Sequence, residues 1–373
     1  MRIAVNTRLL IKGKMEGIGW YTYETMKRIT REHPEHEFIF IFDRPFHEEF
    51  IFSDNIIPVV TGPPARHPAL WLIWFEWSLP RVFRKYQPDI FISPDGYLSL
   101  SASIKSVPVI HDLNFEHHPE NLPLLTRIYF KHMFHRFARK AERIATVSAY
   151  SKNDIIKTYQ ANPDIIDITY NGANVRYRPV EDSIKVKTKE KYAAGKEYLI
   201  FIGSLNPRKN VARLLQGFEK FKNETGREEK LLLVGSRMFK TSDIKETYSS
   251  MTHKDDVIFT GRMEPDELIT VLGSARALVF IPLFEGFGIP VVEAMYCGVP
   301  VVVSNATSLP EVAGDAAIYA DPYQIDSIAN GIKKICVDEK LRNELIEKGK
   351  DVREKFSWDQ TAKSLWYCIE KCL

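Results

Sequence analysis

Two short apolar runs, Ala277-Leu278-Val279-Phe280-Ile281 and Val299 to Val303, bracket a glycine-rich loop and a helix start. That succession leaves few folds open. Strands joined through a helix belong to a layered α/β architecture in which helices cover a parallel sheet. Between the runs lies Phe284-Glu285-Gly286-Phe287-Gly288-Ile289-Pro290-Val291-Val292-Glu293-Ala294. Pro290 suits the first helical position, where a missing N–H costs nothing. Gly298, with Pro300 beyond it, marks the stop. The spacing therefore predicts Glu285 on a strand-to-helix loop and Glu293 in the first turn of the helix. In an open α/β sheet that is the carboxyl edge of the strands, where ligands bind. A helix N-terminus adds N–H donors for an anion. Two carboxylate acceptors for hydroxyls thus stand beside donors for phosphate, and a sugar nucleotide carries both kinds of group.

The same alternation runs along the whole chain. Ile3 to Asn6, Glu37 to Phe42, Asp89 to Ser93, Val107 to Ile110 and Arg143 to Val147 read as strands, with helices at Tyr21 to Thr30 and Leu124 to Lys140. The pattern restarts with strands at Tyr198 to Ile202, Lys230 to Val234, Val257 to Phe259, Leu278 to Ile281 and Val301 to Val303. At 373 residues there is room for two ordinary domains. The expected division is 1–180, 181–355 and a C-terminal helix, 356–373, packing back on the first domain. A polar, lysine-rich linker is expected over Arg178 to Lys196. In the last segment Trp358, Thr361, Leu365, Tyr367, Cys368 and Cys372 approximate one apolar face.

Composition narrows the function. Hydrophobic residues at 45% and charged residues at 27% are those of a soluble globular chain. No apolar run reaches the ~18 residues of a membrane span, and no signal peptide is read at the N-terminus. Cys297, Cys336, Cys368 and Cys372 show no metal-ligand spacing and read as reduced thiols of a cytoplasmic protein. A net charge of +3, with a mildly basic first half, is too weak for a nucleic-acid footprint.

Three further constellations carry chemistry. Ile202-Gly203-Ser204-Leu205-Asn206-Pro207-Arg208-Lys209-Asn210 ends a strand at a glycine that permits close backbone approach, then sets two cations before a helix, as a diphosphate requires. A solvated basic turn is the bland alternative, and placement after the first strand of the second domain favours the functional one. Val109-Ile110-His111-Asp112-Leu113 ends a strand with a histidine and an aspartate. Such a pair is more often a structural hydrogen bond than a dyad. Gly17-Ile18-Gly19 follows the first strand; it reads either as a flexible turn or as a backbone cradle for an anion or an acceptor hydroxyl. There is no third glycine at dinucleotide spacing, which counts against a nicotinamide-dependent dehydrogenase. Trp71-Leu72-Ile73-Trp74-Phe75-Glu76-Trp77 reads as a helix buried against the sheet. The sharper alternative is an amphipathic patch at an anionic membrane, with Arg81, Arg84, Lys85, Arg127, Lys131, Arg136, Arg139, Lys140 and Arg143 supplying charge.

Taken in order, these motifs resemble glycosyltransferase family 4 over essentially the whole length. Thr146-Val147-Ser148-Ala149-Tyr150-Ser151, Tyr170-Asn171-Gly172 and Ser308-Leu309-Pro310-Glu311-Val312-Ala313-Gly314 join those already named. The resemblance implies the GT-B fold, two facing Rossmann-like doubly wound domains with a central cleft. It implies that Glu285 contacts donor-sugar hydroxyls, Glu293 the ribose, and Arg208 and Lys209 the donor diphosphate. It places His111 near the transferred sugar, and Gly17 and Gly19 near the diphosphate and acceptor. Gly203, Gly286, Phe287, Gly288 and Ile289 complete the donor loops. Glu16 and Trp20 depart from the common pattern, where a glycine and a basic residue are usual; the departures bear on the acceptor-side contacts and not on the donor site. The implied reaction is retaining and metal-independent hexosyl transfer, with no cofactor. Residues 111–120 most resemble mannosyltransferase-like members, which favours GDP-mannose as donor. The expected acceptor is a saccharide or lipid-linked saccharide in cell-surface polysaccharide synthesis, and the expected location the cytoplasm or the inner face of the membrane. A phosphorylase or sugar-phosphate synthase on the same fold is the alternative, and a non-catalytic nucleotide-sugar-binding module a more distant one.

Overall fold

The computed structural model describes residues 1–236 and 242–372; residues 237–241 and 373, which the expected second domain and C-terminal segment include, lie outside the described residues. The chain forms two compact units, Met1–Gly172 with Trp358–Leu373, and Ala173–Ser357. The dividing points therefore fall at 172/173 and 357/358 rather than at 180 and 355.

The first unit is built on seven parallel strands, β1 (Arg2–Asn6), β2 (Glu37–Phe42), β3 (Ile56–Val60), β4 (Ile90–Ser93), β5 (Lys105–Ile110), β6 (Ile144–Thr146) and β7 (Ile166–Ile168), in the order β3-β2-β1-β4-β5-β6-β7. Val5 pairs with Phe40 on one side and Ile92 on the other. The central runs are almost unbroken apolar sequence, as strands covered on both faces must be. Ile39, Ile41, Phe91, Phe75 and Phe137 are fully buried in one cluster.

The second unit has six parallel strands, β8 (Tyr198–Ile202), β9 (Lys230–Val234), β10 (Val257–Gly261), β11 (Ala277–Phe280), β12 (Val301–Ser304) and β13 (Ala317–Ala320), in the order β10-β9-β8-β11-β12-β13. Counted within the unit this is the 3-2-1-4-5-6 order of dinucleotide-binding folds. The order reverses between β8 and β11, so the loops leaving those two strands part and leave a crevice at the carboxyl edge.

Several local expectations need correction. The segment read as a linker contains the helix Asp182–Ala193. Its four lysines and Glu190 are good helix formers, and it docks on the helix Pro265–Gly273 through Glu267, which pairs with Lys191 at 2.8 Å and with the Tyr192 hydroxyl. The helix after β11 spans Ile289–Tyr296, which puts Glu293 beyond its first turn. In the aromatic segment a helix over Pro68–Ile73 passes into a π turn over Trp74–Ser78; Trp74 and Phe75 are buried, but Leu72, Ile73 and Trp77 are exposed. The last helix, Trp358–Glu370, packs within the first unit. Its anchor is Trp366, stacked 3.7 Å from the His33 ring, whereas Tyr367 is exposed. Arg28 meets Asp359 at 2.5 Å, and the Thr361 hydroxyl donates to the Tyr170 carbonyl at 2.5 Å. Among the described residues no helix is long and apolar enough to cross a membrane. The four cysteines are buried and unpaired.

Candidate functional site

The loops after β8 and β11 carry the donor-site candidates. β8 ends in Gly203, whose φ of +153° suits glycine. Gly235, at the end of β9, also has a positive φ, and a Cβ there would lie 2.0 Å from the Gly203 carbonyl oxygen. The two strand ends are thus pressed together, and only glycine fits at 235. Asn206 opens the single turn Pro207–Lys209, its side chain accepting from the Lys209 N–H at 3.2 Å. Asn210 follows in the left-handed region, with its amide donating to the Pro322 carbonyl at 2.7 Å. These constraints aim the two cations before the helix Val211–Thr225 begins.

The β11 loop is tied to this turn. The Leu283 N–H donates to the Arg208 carbonyl at 2.9 Å, and the Lys209 ammonium meets Glu285 Oε2 at 2.6 Å. Both side chains of that pair are largely buried, at 9% and 14% exposure. Lys209 Nζ also lies 4.7 Å from the centre of the Phe280 ring. Burial by itself would push the Glu285 carboxyl up; the charges of Lys209 and Arg208 outweigh it and hold the group below its usual range. Glu285 is therefore a carboxylate at neutral pH.

A second layer fixes the loop. Thr307, in the left-handed region, accepts the Glu285 N–H at 3.2 Å. The Ser308 hydroxyl lies 2.9 Å from the Glu285 carbonyl and 3.2 Å from that of Phe287. Gly288 has φ +101°, and a Cβ on it would come within 2.5 Å of Leu309. Being a glycine at the N-cap of Ile289–Tyr296, it leaves that helix end without a side-chain cap. Glu293, one turn further, is pushed up to about 7 by burial, an effect partly offset by the Tyr177 hydroxyl.

Gly203, Arg208, Lys209, Glu285, Gly286, Phe287, Gly288, Ile289 and Glu293 all belong to the second unit; His111, Gly17 and Gly19 belong to the first. His111 follows β5. Its Nε2 lies 2.8 Å from the Pro94 carbonyl, which takes the ring proton there and leaves Nδ1 as the acceptor. Burial lowers its pKa, so the ring is neutral near pH 7. The Asp112 carboxylate accepts the Asn114 N–H at 3.0 Å. Gly17 begins the helix Gly17–Glu32, with open space where a Cβ would be. Gly19 is packed tightly, with the Leu9 carbonyl oxygen 3.0 Å from its would-be Cβ. Neither has a positive φ.

Sequence reasoning missed Tyr177, Gly235, Phe280, Thr307 and Ser308. Gly235 carried a signal, standing at the end of an apolar run like Gly203, and Ser308 opens a segment already named for its resemblance. Among the described residues one trio, His33, Glu35 and His36, brings three potential metal-ligating atoms within 4.8 Å. It lies in the turn before β2, in the first unit, and both its rings stack on Trp366.

Comparison with known proteins covers both units. Residues 15–177 match the family described as Glycosyltransferase Family 4, and residues 182–352 match Glycosyl transferases group 1. The O-antigen chain mannosyltransferase B of Escherichia coli is 29% identical over 364 residues, covering 94% of each chain. The O-antigen chain mannosyltransferase RfbU of Salmonella typhimurium is 26% identical over 281 residues, covering 75% of this chain and 74% of that one. Among solved structures, Anabaena Alr3699/HepE in complex with UDP and glucose superposes over all of both chains with a TM-score of 0.78 at 16% identity. This likeness, with the two parallel sheets, gives the chain the GT-B fold.

Proposed function

The chain belongs to glycosyltransferase family 4, and on that premise we propose that it transfers mannose from GDP-mannose to a saccharide or lipid-linked saccharide acceptor, with retention, in cell-surface polysaccharide synthesis. The observation that carries this reading is the Lys209–Glu285 pair at 2.6 Å beside Arg208, on the two loops flanking the strand reversal. A carboxylate and two cations held together match the hydroxyls and the diphosphate of one donor. The relatives named as O-antigen mannosyltransferases support mannose, and the relative solved with UDP and glucose supports a nucleotide-linked donor.

In this mechanism Arg208 and Lys209 hold the diphosphate and stabilise the charge that grows on it as the glycosidic bond breaks. One such preorganised contact is worth about 2.7–4 kcal/mol in the transition state. These cations supply the charge that a divalent ion supplies in other transferases, hence metal-independent transfer. Glu285, ionised and ion-paired, accepts sugar hydroxyls and is a poor nucleophile. The acceptor hydroxyl therefore attacks from the face the phosphate leaves, and the leaving phosphate oxygen takes its proton. Glu293 accepts the ribose hydroxyls, which favours its charged form. Neutral His111, with its proton committed to Pro94, offers Nδ1 to a hydroxyl of the transferred sugar. The unpaired thiols support a reducing compartment, the cytoplasm.

Thermal unfolding with GDP-mannose, UDP-glucose, GDP and UDP tests the donor. A ligand at about 100 times its Kd stabilises by about 2.7 kcal/mol; GDP-mannose should give the largest rise. If no nucleotide sugar raises Tm, the donor reading falls. Transfer assayed with and without EDTA tests metal independence. Turnover that requires inorganic phosphate in place of a saccharide acceptor would indicate a phosphorylase instead.

A further inference from the structure

The helix Leu124–Lys140 of the first unit carries Arg127, Lys131, Arg136, Arg139 and Lys140 and no acidic residue. Its first turns hold Leu124, Leu125 and Ile128 outward at 68%, 57% and 55% exposure. Positions 124, 128, 131, 135 and 139, spaced three or four apart, put apolar and basic residues on one face. The aromatic segment lies alongside, with the Trp71 ring stacked 5.6 Å from Phe130 and edge-on to Tyr129 at 5.3 Å. It adds Leu72, Ile73 and Trp77 to the exposed apolar set.

Between the two segments is a cavity of about 560 Å³, lined among others by Leu72, Leu100, Leu125, Ile128, Met133 and Arg136. Glu76, the acid at this cavity, accepts the N–H groups of Leu100 at 2.7 Å and Ser101 at 2.8 Å, so both its oxygens turn to the backbone. Exposed apolar side chains gathered in one place mark an interaction surface. The basic residues around them call for an anionic partner. Leucine, isoleucine and tryptophan among arginine and lysine is the composition that lies in a bilayer interface.

We propose that this face seats the protein on an anionic lipid bilayer. Leu72, Leu124, Leu125 and Ile128 enter the boundary between headgroups and acyl chains, while Arg127, Lys131 and Arg136 rest against lipid phosphates. The inference is independent of the donor reading.

Flotation of the full chain with vesicles tests it. Vesicles containing phosphatidylglycerol should carry the protein up the gradient, less so at high salt; pure phosphatidylcholine should carry far less. Replacing two cations, Lys131→Ala with Arg136→Ala, should weaken binding about 30-fold. Leu125→Ser with Ile128→Ser should weaken it as well. Both double variants should keep the wild-type Tm and its rise with nucleotide sugar, which separates loss of docking from loss of fold or of donor binding. Failure of the wild type to float with anionic vesicles overturns the proposal. So does undiminished flotation of both double variants, or capture that is equal on neutral vesicles.

Discussion

Each sheet reverses its strand order once, between β1 and β4 in the first unit and between β8 and β11 in the second. Each reversal carries an ion pair between the loops leaving those two strands, Arg8–Asp95 at 2.5 Å and Lys209–Glu285 at 2.6 Å. The pairs occupy equivalent places and differ in how they are held. Asp95 also accepts from the Asn6 amide at 2.8 Å and the Ser93 hydroxyl at 3.0 Å. Arg8 donates in addition to the Ala65 carbonyl at 2.9 Å and lies 4.6 Å over the Tyr97 ring. A rigid guanidinium fork used this way is a staple. An ammonium is a rotatable point charge with three donors, and Glu285 sits on a glycine-rich loop. On the proposed reading the second pair re-partners when a donor arrives, and the first never does. On that reading one topological position serves structure in one unit and recognition in the other.

Asp95→Ala is the severest test of this contrast. Leaving Arg8 buried without its partner should cost about 3–5 kcal/mol, measured by denaturant unfolding. A loss below that of an ordinary surface substitution would remove the staple from the argument. Arg208→Ala comes next and acts on the other quantity. It should lower kcat/KM by about 10²–10³-fold while stability moves by about 0.5 kcal/mol. A large fall in Tm with turnover intact would erase the distinction between the two loops.

Glu293→Gln gives the smallest and most specific signal. Its carboxyl is raised from 4.5 to about 7. Between those values the folded chain keeps a proton that the unfolded chain has lost, so stability falls as pH rises through the window, and the penalty is complete above it. The glutamine variant should flatten this part of the Tm–pH curve. Since ribose hydroxyls prefer the carboxylate, wild-type donor affinity should climb as pH passes 7, and the variant's should not. Identical pH profiles would take Glu293 out of the donor site.

What the sequence made legible was governed by burial. Central strands such as Glu37–Phe42 and Tyr198–Ile202 announce themselves because both faces are covered. The strands that escaped notice, β3, β7 and β13, all lie at sheet edges. There a short or half-exposed run looks like loop, and Pro58 within β3 is tolerated because an edge strand needs only half its hydrogen bonds. Lys209 and Glu285 could be named because each sits in a local motif. Their contact could not, nor could Arg8–Asp95, whose partners stand 87 positions apart. Tyr177 beside Glu293 was hidden for the same reason. Residues 182–193 were misread because a helix that buries only Thr188 and Ala193 has almost no apolar period to detect.

The second unit is one uninterrupted stretch, Ala173–Ser357, whereas the first is closed by a helix that comes after it. A ribosome therefore delivers the later unit whole while the earlier one still lacks a wall. Until Trp366 emerges, the indole that covers the His33 and His36 rings is missing. Order of synthesis and order of completion are inverted, and the second unit can be finished before the one that was begun first.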